Sequence, residues 1–244
     1  MTRGTLGTWL GLVALLVAAP LPSRAGDGRH IAPASGQQIL LAQATSSAVP
    51  VYKPPLRGAP GGRVGGGTRG TGRELFVLTV LAPDHTGLTV EEQPTLYWYL
   101  SSRTPYPVEI TVMDPRATQP LLEQRIPPPV EAGLHRIRLA DHNARLGSGV
   151  SYRWFAAVVP DPARRSRDIL AGGTIERIER SEELTAKLAR ASKTELPFVY
   201  ADAGLWYDAF TAISALIEAA PENAELKKQR AALMTQVGLP EVGD

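Results

Sequence analysis

The glycines of Gly65-Gly66-Gly67-Thr68-Arg69-Gly70 are the first residues whose spacing could do chemistry, because they match Gly-x-Gly-x-x-Gly. Such a loop brings backbone N–H groups against a pyrophosphate, provided that it follows a strand and opens a helix. Here a proline-rich coil precedes it and strand-like sequence follows, which excludes a dinucleotide site. Residues 62–68 trace the outline of a phosphate loop, but glycine or threonine stands where its lysine belongs, and no helix follows. The four histidines, His30, His85, His135 and His142, form no His-x-x-x-His or comparable pair, and cysteine is absent, so no metal site is expected. Neither a Gly-x-Ser-x-Gly elbow nor a Ser-x-x-Lys motif occurs. A triad can still assemble in space from distant residues. No catalytic residue and no cofactor are assigned.

The remaining polar and aromatic groups suit recognition. Arg63 and Arg69 stand in a basic, glycine-rich segment, and Arg164, Arg165 and Arg167 cluster before the last strand-like run. Together they could meet an anionic envelope polymer or a lipid headgroup. A nucleic-acid surface needs aromatics interleaved with the charges, and none are present, so no nucleic-acid partner is expected. Trp206, Tyr207 and Asp208 follow one another in a helical pattern. Trp206 lies on its apolar stripe and is expected in the core, whereas Tyr207 and Asp208 flank the stripe and are expected at a partner surface.

These groups need a scaffold, and the chain of 244 residues has enough material for one: 43% of it is hydrophobic. With no cysteine, no disulfide can staple the fold, and neither a thiol nucleophile nor a lipobox is available. A net charge of +2 is too mild to dictate a partner. Arg3 and the short apolar run of residues 6–19, ended by Pro20 and Pro22, form a secretory signal peptide pattern over 1–25. Ser23-Arg24-Ala25 offers a cleavage site, and Ala42-Gln43-Ala44 a second one. The run is short for a bilayer span, so membrane contact is expected only through an uncleaved signal. Removing the signal leaves roughly 220 residues, one or two small domains.

Residues 26–73 read as a flexible Gly/Pro/Arg-rich arm, since so much glycine imposes a heavy ordering entropy. Residues 74–180 read as a β-domain. Strand-like runs fall at 75–81, 95–100, 108–113, 121–126, 134–139, 150–159 and 169–178, with residues 83–87 as a turn. Val108, Ile110 and Val112 share one face, as do Tyr152, Trp154, Ala156 and Val158. Such spacing predicts an antiparallel immunoglobulin-like β-sandwich without the cysteine pair. Residues 181–244 switch to a helical period. Ser181 caps a first helix, a second after Pro197 carries Trp206, Phe210, Ile213 and Ile217, and Asn223 caps a third that Gly238 ends. The fold is thus mainly β, followed by a helical hairpin or three-helix unit.

The same residues carry a resemblance. Pro54-Pro55-Leu56-Arg57-Gly58-Ala59-Pro60-Gly61-Gly62-Arg63 is followed by the glycine-rich loop. Then come Leu78-Thr79-Val80-Leu81-Ala82-Pro83 and, near the end, Tyr200-Ala201-Asp202-Ala203-Gly204-Leu205-Trp206-Tyr207-Asp208-Ala209. Over residues 52–239 this order resembles the bacterial family called Domain of Unknown Function 928. That resemblance implies an exported protein and brings no catalytic residues. Within residues 200–223, Gly204, Ala209, Ile213 and Pro221 also resemble the second helix of a tetratricopeptide repeat, from which Leu216 departs.

The reading that follows is an exported protein, periplasmic or at the cell surface, acting as a non-catalytic module that recognises an envelope protein or an anionic surface polymer. The alternative is an envelope hydrolase acting on glycan or peptide through a spatially assembled site. The mature chain is expected to begin after Ala25, or failing that after Ala44. N-terminal sequencing of exported material checks this, and an intact Met1 there would contradict it.

Overall fold

The computed structural model describes residues 48–55, 62–64 and 77–240. The signal-like segment, Arg69 and most of the glycine-rich loop lie outside the described residues. Eight strands form: β1 (Leu78–Val80), β2 (Gly87–Thr89), β3 (Thr95–Leu100), β4 (Val108–Met113), β5 (Leu122–Ile126), β6 (Gly133–Arg138), β7 (Ser151–Val158) and β8 (Ile169–Arg177). They assemble into a three-stranded sheet, β1-β3-β6, and a five-stranded sheet, β2-β8-β7-β4-β5. The alternation that marks the strands decides which side chains face inward: Ile110 and Val112 on β4 and Trp154 and Ala156 on β7 are wholly buried.

Every pairing is antiparallel except β2 with β8, which is parallel. The sandwich is thus antiparallel as expected, with this one parallel pair at its edge. The chain leaves β1 in one sheet and enters β2 in the other, so that β2 lies beside the last strand in the same sense. The turn expected over residues 83–87 is correspondingly shorter, and Gly87 already belongs to a strand. A first strand split between the sheets, with the order of the remaining strands, is an immunoglobulin-like topology.

Four helices follow: α1 (Glu182–Arg190), α2 (Leu196–Asp202), α3 (Trp206–Ala219) and α4 (Ala224–Gln236). Ser181 Oγ accepts the Leu184 N–H at 3.1 Å, and Asn223 Oδ1 accepts from Glu225 and Leu226 at 3.0 and 3.2 Å. Both caps stand where the sequence signals them. The single helix expected after Pro197 is instead two. Gly204 interrupts it with φ +73, where a Cβ would lie 2.7 Å from the Lys53 carbonyl oxygen.

That carbonyl belongs to residues 48–55, which form part of the segment expected to be a loose arm. They run instead across the helices. The Lys53 N–H donates to the Ala201 carbonyl at 3.1 Å, and Gln236 bonds both the Tyr52 N–H and the Pro50 carbonyl at 2.8 Å. Tyr52 is buried and meets the Trp206 ring edge-on at 5.3 Å. Further on, Val64 pairs with Gly172 of β8.

Helices and sandwich share one continuous core, in which Trp206, Phe210, Ile213 and Leu233 join Leu78, Val80, Leu96 and Trp154. Tyr97, turned away from the sandwich interior, meets Phe210 edge-on at 5.0 Å. The helices are short and the chain has no disulfide, so this coverage is what holds them. Trp206 is 0% exposed. Trp206→Ala is expected to destabilise by about 3–5 kcal/mol and to lower the melting of strands and helices together. Far- and near-ultraviolet circular dichroism followed through one thermal scan checks this, and loss of helix alone at lower temperature would contradict it.

Candidate functional site

At the start of α3, three consecutive side chains each bond a different part of the sandwich. Trp206 Nε1 donates to the Leu81 carbonyl, just past β1, at 2.9 Å. The Tyr207 hydroxyl donates to the Thr174 carbonyl of β8 and accepts from Trp154 Nε1 of β7, both at 2.9 Å. Its ring lies so close to β2 that a Cβ on Gly87 would come within 2.6 Å of it. The Asp208 carboxyl accepts from Thr89 Oγ1 and from the Val90 N–H, both at 3.2 Å. Tyr207 is 2% exposed and Asp208 5%. The expectation that these two sit at a partner surface is therefore corrected. A helical wheel shows one stripe, but the chain wraps β2 around the flank of that stripe and encloses both residues.

Beside this attachment lies a cleft of about 330 Å³. Asp208 and Tyr207 of α3 form its floor. Thr211 and Ala215 continue along α3 from them, and Thr89, Glu91, Gln93 and Thr95, with Leu196 and Tyr200 of α2, complete the lining. Burial pushes the Asp208 carboxyl up to about 7, with the charge of Glu91 acting in the same direction. The bonds from Thr89 and Val90 oppose this rise without cancelling it. Burial also raises the Tyr200 phenol, helped by Asp208 and Glu91. Arg180 donates to Glu91 at 2.5 Å. Thr211 Oγ1 is buried without a hydrogen-bond partner among the described residues. No cluster of histidine or acidic residues able to hold a metal ion occurs among the described residues.

A family model matches residues 64–244. The chain belongs to the family described as Domain of Unknown Function (DUF928). The DUF928 match takes in both the sandwich and the helices, including the Trp206-Tyr207-Asp208 attachment and the whole cleft. A comparison with curated proteins finds no match.

Of the arginines singled out in this DUF928 chain, Arg63, Arg164, Arg165 and Arg167 lie apart from the cleft lining. Arg63 donates to the Gly238 carbonyl at 3.0 Å and to the Ala82 and Val237 carbonyls at 3.4 Å, which fastens its segment to the end of α4. Arg164 pairs with Asp161 at 3.1 Å, and Arg165 with both Glu109 and Asp168 at 2.7 Å. All three are exposed; Arg164 and Arg165 are held in ion pairs, and Arg167 has none among the described residues. Sequence reasoning missed Thr89, Glu91, Tyr200 and Thr211. The one signal pointing to them is Asp208, an acid beside an apolar stripe.

The position of Asp208 makes stability depend on pH. Its carboxyl ionises near 3.8 when unfolded and at about 7 when folded. The folded chain therefore keeps a proton that the unfolded chain releases. The stabilisation is complete below the unfolded value and is lost as pH rises through the folded one. Asp208→Asn keeps the shape and cannot ionise. Relative to this variant, the native protein is expected to lose stability from about pH 4 to about pH 7. Denaturant midpoints across that range check it, and a constant difference between the two proteins would contradict it.

Proposed function

We propose that this protein is an exported, non-catalytic recognition module of the cell envelope whose ligand site is the cleft between α3 and the connection from β2 to β3. The observation that carries this reading is the cleft itself, floored by a buried carboxyl on a rigid attachment. Its volume falls at the small end of ligand pockets, which run from about 300 to 1,000 Å³. An anionic polymer as partner has less support, because Arg63, Arg164 and Arg165 already have internal acceptors. The hydrolase reading also has less support. Both Asp208 oxygens already accept bonds, from Thr89 Oγ1 and the Val90 N–H, and Glu91 is held by Arg180. Among the described residues no helix is long and apolar enough to cross a membrane.

A photoreactive amino acid at Ala215, on the rim, tests the reading in the native host. Illumination is expected to give an adduct in the envelope fraction, lost when Ala212→Phe fills the cleft. The same label at exposed Glu123 on β5 is expected to give none. Equal labelling at both positions, or protein recovered only from the cytoplasm, would contradict it.

A further inference from the structure

A carboxylate taken out of water needs a countercharge, and the described residues supply none to Asp208. No arginine, lysine or histidine lines the cleft. Arg180 is engaged at Glu91. The two donors on Asp208, a threonine hydroxyl and a backbone N–H, are neutral. Neutral donors stabilise a carboxylate only in part, and buried charges are as a rule paired. The lining adds acceptors, Gln93, Thr95 and the Tyr200 phenol, beside Pro94 and Leu196. Thr211 Oγ1 leaves one more buried oxygen without a bond, a free-energy cost where it stands.

We propose that the cleft binds a small hydroxylated ammonium compound, in class an amino sugar or amino alcohol, with the ammonium group at Asp208 and Glu91. This rests on the reading of the cleft as the recognition site. An ammonium group brings three donors and a positive charge to a place that has acceptors and a negative one. Hydroxyls on the same ligand meet Tyr200, Thr95 and Gln93. An anion would be desolvated against two acids, and a neutral sugar would leave the Asp208 charge unopposed. The volume suits one small ring and not an extended chain.

The groups facing Asp208 are Glu91 after β2, Tyr200 on α2 and, through Glu91, Arg180 after β8. A bound ammonium holds Asp208 ionised. Below about pH 7 the ligand must displace a proton, so affinity falls by up to about tenfold per pH unit.

Calorimetric titration of the full chain with glucosamine, and in parallel with glucose, tests this at about pH 8. Glucose carries a hydroxyl where glucosamine carries the amine. Saturable one-to-one binding of glucosamine is expected, at least about tenfold tighter than glucose, and weaker at about pH 6. Ethanolamine as a third probe separates an amino alcohol from an amino sugar. Asp208→Asn is expected to abolish the preference for the amine. Ala212→Phe, which fills the cleft and leaves the Asp208 carboxyl unsubstituted, is expected to abolish binding and keeps the test valid should Asp208→Asn not fold. Equal affinity for glucose and glucosamine, both lost in Ala212→Phe, would overturn the ammonium assignment and leave the cleft as the recognition site. Amine binding untouched by Ala212→Phe would overturn both. No binding of any amine at millimolar concentration would overturn the ammonium assignment, and labelling from Ala215 then judges the cleft on its own.

Discussion

Three adjacent side chains, Trp206, Tyr207 and Asp208, are bonded to three separate parts of the sandwich, and everything after β8 takes its position from that attachment. Burial and bonding divide the work. Two aromatic side chains of about 150–250 Å² each, at about 25 cal/mol per Å², supply more than the five hydrogen bonds worth about 1 kcal/mol net apiece. The bonds decide something else. The indole N–H, the phenol and the carboxyl would be orphaned in any other docking of α3, so they select one register from the many that would bury the same rings. Residues 48–55 close the arrangement from outside, with Tyr52 against Trp206 and the Lys53 carbonyl against Gly204.

The strands were legible wherever β-branched and aromatic residues alternate over six or more positions, as at Thr95–Leu100 and Val108–Met113. β2 was not, because it has three residues and its partner, β8, is supplied from far along the chain. Local pattern holds no information about a parallel pairing of that kind. The break between α2 and α3 was hidden for a similar reason. Helical periodicity runs on through Gly204, and the backbone conformation there is matched to the carbonyl of Lys53 on a distant segment.

The site was less legible than the fold. In sequence Asp208 flanks the apolar stripe, a position that suits a surface acid. Its burial depends on β2, the strand that the sequence concealed. Arg165 reads as part of an open patch because Glu109, which sits on β4 and also holds Arg125 at 2.9 Å, is brought to it only by the fold. Arg63 reads in sequence as one charge of a basic segment, because the three carbonyls that hold it, of Ala82, Val237 and Gly238, are brought together only by the fold.

Asp208 joins the fold to the cleft, and the two roles oppose each other. Protonated, it is a neutral acid that the core tolerates. Ionised, it attracts a cation but carries a desolvation cost that Thr89 and Val90 only partly offset. A site tuned for stability alone would hold asparagine there. Keeping a carboxyl at the join of helix and sheet costs stability near neutral pH, the kind of cost that functional groups impose on folds. A cation bound to the ionised form would return that stability, since a ligand held by the folded chain alone shifts the folding equilibrium toward it. Ligand and proton then compete for one carboxyl, and occupancy of the cleft becomes coupled to how firmly α3 is held against β2.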